Sequence, residues 1–302
     1  MACLLCIVLL QSMGVAGMYL LSSSEMESDV YGLLFFDWGW PEDLAQRIDD
    51  AGALGTLVGA GFAIPGVVLL SSLGDDIASG TRISRQWLRL LLLTNLCFIA
   101  SWMLAIAVTQ MVRGGAFVEY ALGEHAVRFA VPLALALLLA PATGWISGER
   151  LRQTSMGLLT LATAATFIVH GYKAICLYGQ FTDLILLSSA RWTSLQLTQS
   201  TAEGALWVIG VVDVVVALLL IGTRWRMIAA YMALWGLITA CSRMTAMGAG
   251  AWPEVLIRSA NWGAPLALLL YHQNRSSQPR MPSPCPIVVE QERIATSSVQ
   301  QP

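Results

Sequence analysis

Charge is scarce in this chain: Asp, Glu, Lys and Arg make up 12% of its 302 residues, against 56% hydrophobic residues and a mean hydropathy of +0.66. Soluble domains carry roughly 25% charged residues, so a soluble globular fold is excluded. Histidine occurs three times, at His125, His170 and His272, in different regions, so neither a bis-histidine haem nor a multi-histidine metal site is readily assembled, and no metal is expected. The six cysteines are scattered and imply no disulfide framework; Cys3 and Cys6 form a C-x-x-C pair, but at the start of an apolar helix and without a βαβ context. No block of like charge is long enough to engage nucleic acid, and the net charge of -2 averages two unlike faces. No loop cradles a phosphate: Gly59-Ala60-Gly61 runs into Phe62-Ala63-Ile64 and fails the dinucleotide fingerprint. Lysine is nearly missing, with Lys173 the single example.

What the chain has instead is apolar runs of span length. They fall at about Cys3–Leu21, Ala51–Leu70, Leu88–Val112, Ala126–Trp145, Met156–Leu177, Ala205–Ile221, Met227–Met247 and Val255–Tyr271. A helix needs about 20 residues to cross a bilayer, which predicts an all-α integral membrane protein of eight transmembrane helices. Period-two alternation is absent, which argues against a barrel. Basic residues gather in every second connection: Arg82 and Arg85, Arg150 and Arg152, Arg224 and Arg226, then Arg275, Arg280 and Arg293. Basic loops stay inside, so both termini are expected to be cytoplasmic in a multi-pass protein of the cell membrane. The first run lacks the basic n-region of a signal peptide and reads as a retained helix. Residues 273–302, rich in Ser, Pro and Gln, read as a disordered cytoplasmic tail.

The chain also matches itself. Tyr31-Gly32 with Asp37 parallels Tyr178-Gly179 with Asp183; Gly52-Ala53-Leu54 parallels Gly204-Ala205-Leu206; Gly115-Ala116-Phe117 with Glu119 parallels Gly250-Ala251-Trp252 with Glu254; and Pro132 parallels Pro265. The order is preserved throughout, which predicts a tandem duplication: a four-helix unit over 1–150 and a second over 151–272, related by an axis along the membrane normal.

Ionisable side chains at membrane depth are expensive and mark sites by default. Lys173 follows His170 by three residues inside the apolar stretch from Phe167 to Cys176, which puts both on one helix face. Asp213 falls near the midplane of the sixth run, within reach of a lysine stem, so a Lys173–Asp213 ion pair is predicted. Arg243, near the end of the seventh run, and Asp183, at the outer surface, complete the candidate binding site, open to the extracytoplasmic side. Against this stands an anchoring reading, in which Lys173 snorkels to the interface and the other polar groups merely hold helices together.

The second unit resembles the DoxX-like family of four-helix membrane proteins. The resemblance rests on His170-Gly171-x-Lys173, on Asp213 and on the Gly222-Thr223-Arg224 turn, and it covers roughly Met156 to Tyr271. It implies a four-helix membrane fold and, since some relatives are subunits of a thiosulfate:quinone oxidoreductase, a quinone as ligand. The first unit departs from the pattern, with Ser23 and Met26 near the positions of His170 and Lys173. The resulting expectation is a membrane subunit that binds a small lipid-phase molecule such as a quinone, alongside a protein partner or a second copy of itself. A small-molecule transporter and a non-catalytic structural or assembly protein are the alternatives.

Overall fold

The computed structural model describes residues 1–21, 28–72, 79–141, 146–192, 196–223 and 225–277. Ser23, Met26, Trp145, Arg224, Cys285 and the tail from residue 278 lie outside the described residues. The described residues contain helices and their connections, with no strand among them. Inside a bilayer each backbone N–H and C=O needs a partner within its own segment, and a continuous apolar run meets that requirement only as a helix.

Twelve α-helices follow in order: α1 Ala2–Ala16, α2 Asp29–Gly32, α3 Glu42–Ser72, α4 Ser79–Arg113, α5 Ala121–Glu124, α6 Ala126–Leu139, α7 Gly148–Ile175, α8 Gly179–Trp192, α9 Gln199–Thr223, α10 Arg226–Met247, α11 Trp252–Ile257 and α12 Ser259–Ser277. Among the described residues seven segments are long and apolar enough to cross a membrane, consistent with an all-α, multi-pass membrane architecture. Two expected spans differ in detail. The fourth covers Val118–Leu139 and stops early, because Ala140 takes the extended conformation that Pro141 imposes on its predecessor. The eighth expected run is split at Arg258 into α11 and α12 and is not among the seven.

Residues Met1–Leu269 form one compact unit and Leu270–Pro302 a second, whose described part is the end of α12, with the rings of Tyr271 and His272 5.4 Å apart. In the large unit α1 packs on α3, α6 and α11, while α7 packs on α9, α6 and α5. The first helix is a core element: Leu4, Ile7, Val8 and Val15 are all buried. Small residues let the helices approach closely, as lipid-embedded helix pairs require. The α7–α9 contact is the tightest example, where Gly171 faces Gly210. A Cβ on Gly210 would stand 2.6 Å from the Gly171 carbonyl oxygen, and one on Gly171 3.1 Å from the Asp213 Cβ. This approach seats Asp213 against the helix that carries His170 and Lys173.

Overpacking a filled contact costs about 1–3 kcal/mol. Gly210→Ala is therefore expected to lower the thermal unfolding midpoint in detergent, whereas Gly204→Ala, on the same helix with open space around it, is not. Equal midpoints for the two variants would contradict the close approach of α7 and α9.

Candidate functional site

The site begins at a break in a helix. α5 ends at Glu124, His125 leaves helical geometry at φ -98 and ψ 8, and α6 starts at Ala126. A break at membrane depth frees backbone groups that need new partners. Thr166 of α7 supplies them: its hydroxyl donates to the Gly123 carbonyl at 3.1 Å and accepts from the Val127 N–H at 3.4 Å. A second break at Arg258 separates α11 from α12, and there the Ser259 hydroxyl donates to the Ile7 carbonyl of α1.

The first break presents the Glu124 carboxylate to α7. Lys173 donates to Oε2 of Glu124, and the His170 Nε2 lies 3.6 Å from Oε1, so one carboxylate serves both residues. That spacing is what two side chains on one helix face deliver. The Tyr178 ring centroid lies 5.0 Å from the lysine Nζ, a cation–π contact, and the Phe181 ring packs beside His170. Lys173 is 4% exposed, so it does not snorkel.

His170 also lines a cavity of about 550 Å³ enclosed by α7, α8, α9, α10 and the second break. Its walls are mostly apolar, with Phe167, Phe181, Ile185, Leu206 and Ile209 among them. Four buried polar atoms on the same walls lack hydrogen-bond partners: Oδ1 of Asp213, Nε1 of Trp235, Nε of Arg243 and Oδ1 of Asn261. Trp235 is near enough to act electrostatically on Asp213, but the pair does not meet hydrogen-bond geometry. Asp213 and Asn261 are each more than nine-tenths buried. Leaving a polar group buried and unpaired costs about 1–3 kcal/mol, and more if it is charged. Together they form a polar lining waiting for a complementary molecule.

Of the five residues expected at the site, His170, Asp213 and Arg243 line this cavity. Lys173 sits behind His170, and its partner is Glu124 rather than the predicted Asp213. The reason is span placement: the fourth span starts before Glu124, so a carboxylate assigned to a connection lies at membrane depth beside the lysine. Asp183 is exposed on α8 and does not line the cavity; α8 turns its Phe181, Leu184, Ile185 and Ser188 inward instead. Trp235 and Asn261 carried no signal in the sequence, since a tryptophan or asparagine in an apolar helix reads as packing. Glu124 did carry one, as an acidic residue next to a histidine at the edge of an apolar run.

Removing one member of a buried ion pair typically costs about 3–5 kcal/mol, because its partner is left charged and desolvated. Lys173→Met is expected to destabilise the detergent-solubilised protein by that amount, and the double variant Lys173→Met/Glu124→Gln by distinctly less, as read from chemical unfolding. A Lys173→Met cost near zero would contradict the pairing. No protein-family profile, curated protein or solved structure matches the chain, so its likeness to the DoxX-like family rests on the residues alone.

Proposed function

We propose that this protein binds a small, partly polar lipid-phase molecule of the quinone class and acts as the membrane subunit of a redox system. The observation that carries the reading is the apolar cavity with unpaired polar atoms on its walls. Ligand pockets combine apolar walls with a few placed polar groups in this way. Two of the unpaired donors, on Trp235 and Arg243, belong to α10 and can each serve a carbonyl of a bound quinone. Asp213 is the acceptor for a hydroxyl of the reduced ring. His170 takes or returns its proton, with Glu124 behind it to stabilise the imidazolium. The chain supplies no evident electron carrier of its own, so electrons pass to or from a partner protein.

The same reading takes the chain as two tandem four-helix units with eight crossings and both termini in the cytoplasm of a cell that carries it in its cell membrane. What supports the duplication is element order: α1 to α6 and α7 to α12 each run a helix of span length (with α1 counted on to Leu21), a helix too short to span, two helices of span length, a helix of one or two turns, then a proline-containing helix after a break. The packing pairs correspond as well, with α1 on α3 and α11 where α7 is on α9 and α5. Trp102 lies on Gly52 beside an apolar cluster that includes Tyr31 and Ile106, while Gly204, the counterpart of Gly52, faces open space. The cavity accordingly is lined by the second unit, where the resemblance to the DoxX-like family also lies, while Glu124 reaches His170 from the first.

Thr239 lines the cavity from α10, and Thr239→Trp would fill much of it. Solvent extraction of protein purified in mild detergent is expected to yield close to one quinone-class molecule per wild-type chain and several-fold less from this variant. Equal recovery from both would overturn the assignment.

A further inference from the structure

We infer that the molecule held in this cavity is an anion: the site selects the ionised form of an acidic ring compound, such as a hydroxyquinone or a deprotonated quinol, over its neutral isostere. This rests on the reading that the cavity takes a quinone-class ligand, and it adds the charge of that ligand. Charges do not balance around the end of the cavity where Arg243 and Arg258 stand. Glu254 is shared by these two guanidinium groups. Arg258 Nη1 donates to the Glu254 backbone carbonyl at 2.9 Å and to its Oε2 at 3.1 Å, while Arg243 Nε is 3.8 Å from that same oxygen and has no hydrogen bond. Lys173 is matched by Glu124.

Arg128 of α6 is then left over. It is 8% exposed, its Nε has no partner, and no carboxylate makes an ion pair with it among the described residues. It is close enough to Arg258, Arg243 and Glu124 for their charges to act on it. Arg128, Arg243, Arg258 and Lys173 thus face only Glu124 and Glu254, an excess of two positive charges in a low-dielectric interior. Asp213 stands beside Trp235, and the carboxylates that act on Arg128 and Arg243 are Glu124 and Glu254. Uncompensated buried charge is unfavourable, and an anion brought to Arg243 and Arg258 relieves it. The planar guanidinium fork suits an oxyanion delocalised over a ring. Asn261, with an unpaired amide oxygen on the same wall, accepts from a hydroxyl or N–H next to the anionic oxygen.

The test uses two ring compounds of nearly equal shape, measured by equilibrium dialysis against the full chain in detergent at neutral pH. One is a hydroxynaphthoquinone, ionised under these conditions; the other is a neutral methylnaphthoquinone. One added charge-assisted hydrogen bond makes the ionised compound bind about tenfold more tightly or better. Arg243→Gln should bring the ratio towards one, with an unchanged size-exclusion profile and thermal unfolding midpoint in detergent showing that the variant is folded, and Arg243→Lys should keep most of the preference. Equal affinity of wild type for both compounds would overturn the anion assignment and leave the cavity reading standing. A preference undiminished in both Arg243→Gln and Arg258→Gln would overturn the placement of the anion. Binding of neither compound would remove the quinone-class reading, and this inference with it.

Discussion

One buried carboxylate organises the middle of this protein. Glu124 stands at a helix break, accepts from Lys173 and lies beside His170, and so ties the α5–α6 pair to α7. An isolated charge of either sign at that depth is costly, and the break would leave backbone groups unpaired without Thr166. Each unfavourable element is tolerable because the others are present. α7, once held, accepts α9 through the Gly171–Gly210 contact, and α9 brings Asp213 to the cavity. The cavity wall therefore depends on an ion pair that is not itself part of that wall.

Within the cavity the energetic logic is reversed. Glu124 is matched by Lys173 and His170, whereas four polar atoms facing the open volume have no partner. A carboxylate oxygen, an indole N–H, a guanidinium N–H and an amide oxygen thus share one set of walls, and these are the groups that the proposed ligand would complete. His170 joins the two regions, with its ring on the cavity and its Nε2 towards Glu124. That position suits a residue passing a proton between a bound molecule and a fixed charge.

The two halves of the chain use similar elements for different ends. In the first, Trp102 covers Gly52, and the acidic residues Asp29 and Asp37 are drawn to Arg113 at the end of α4. In the second, a cavity stays open and α8 covers it with Phe181, Leu184 and Ile185. α8 is amphipathic and is counted among neither the expected spans nor the seven segments long enough to cross. Its importance lies in packing rather than in hydropathy.

The all-α membrane class, most of the spans, and the place of His170 and Lys173 on one helix face were legible in the sequence, because each depends on composition or on the 3.6-residue period alone. His170, Asp213 and Arg243, which line the cavity, could be singled out for a related reason: a polar group in an apolar run is anomalous wherever the helix lies. Which partner each one meets was not legible. Lys173 and Glu124 are separated by 49 positions, and whether Glu124 stands in lipid or in a connection depends on where a helix starts, a boundary that hydropathy resolves poorly. The roles of Trp235 and Asn261 were likewise decided by the fold. Periodicity says which way a residue points from its own helix; only the packing of helices decides whether it meets a neighbour, a lipid or an open cavity.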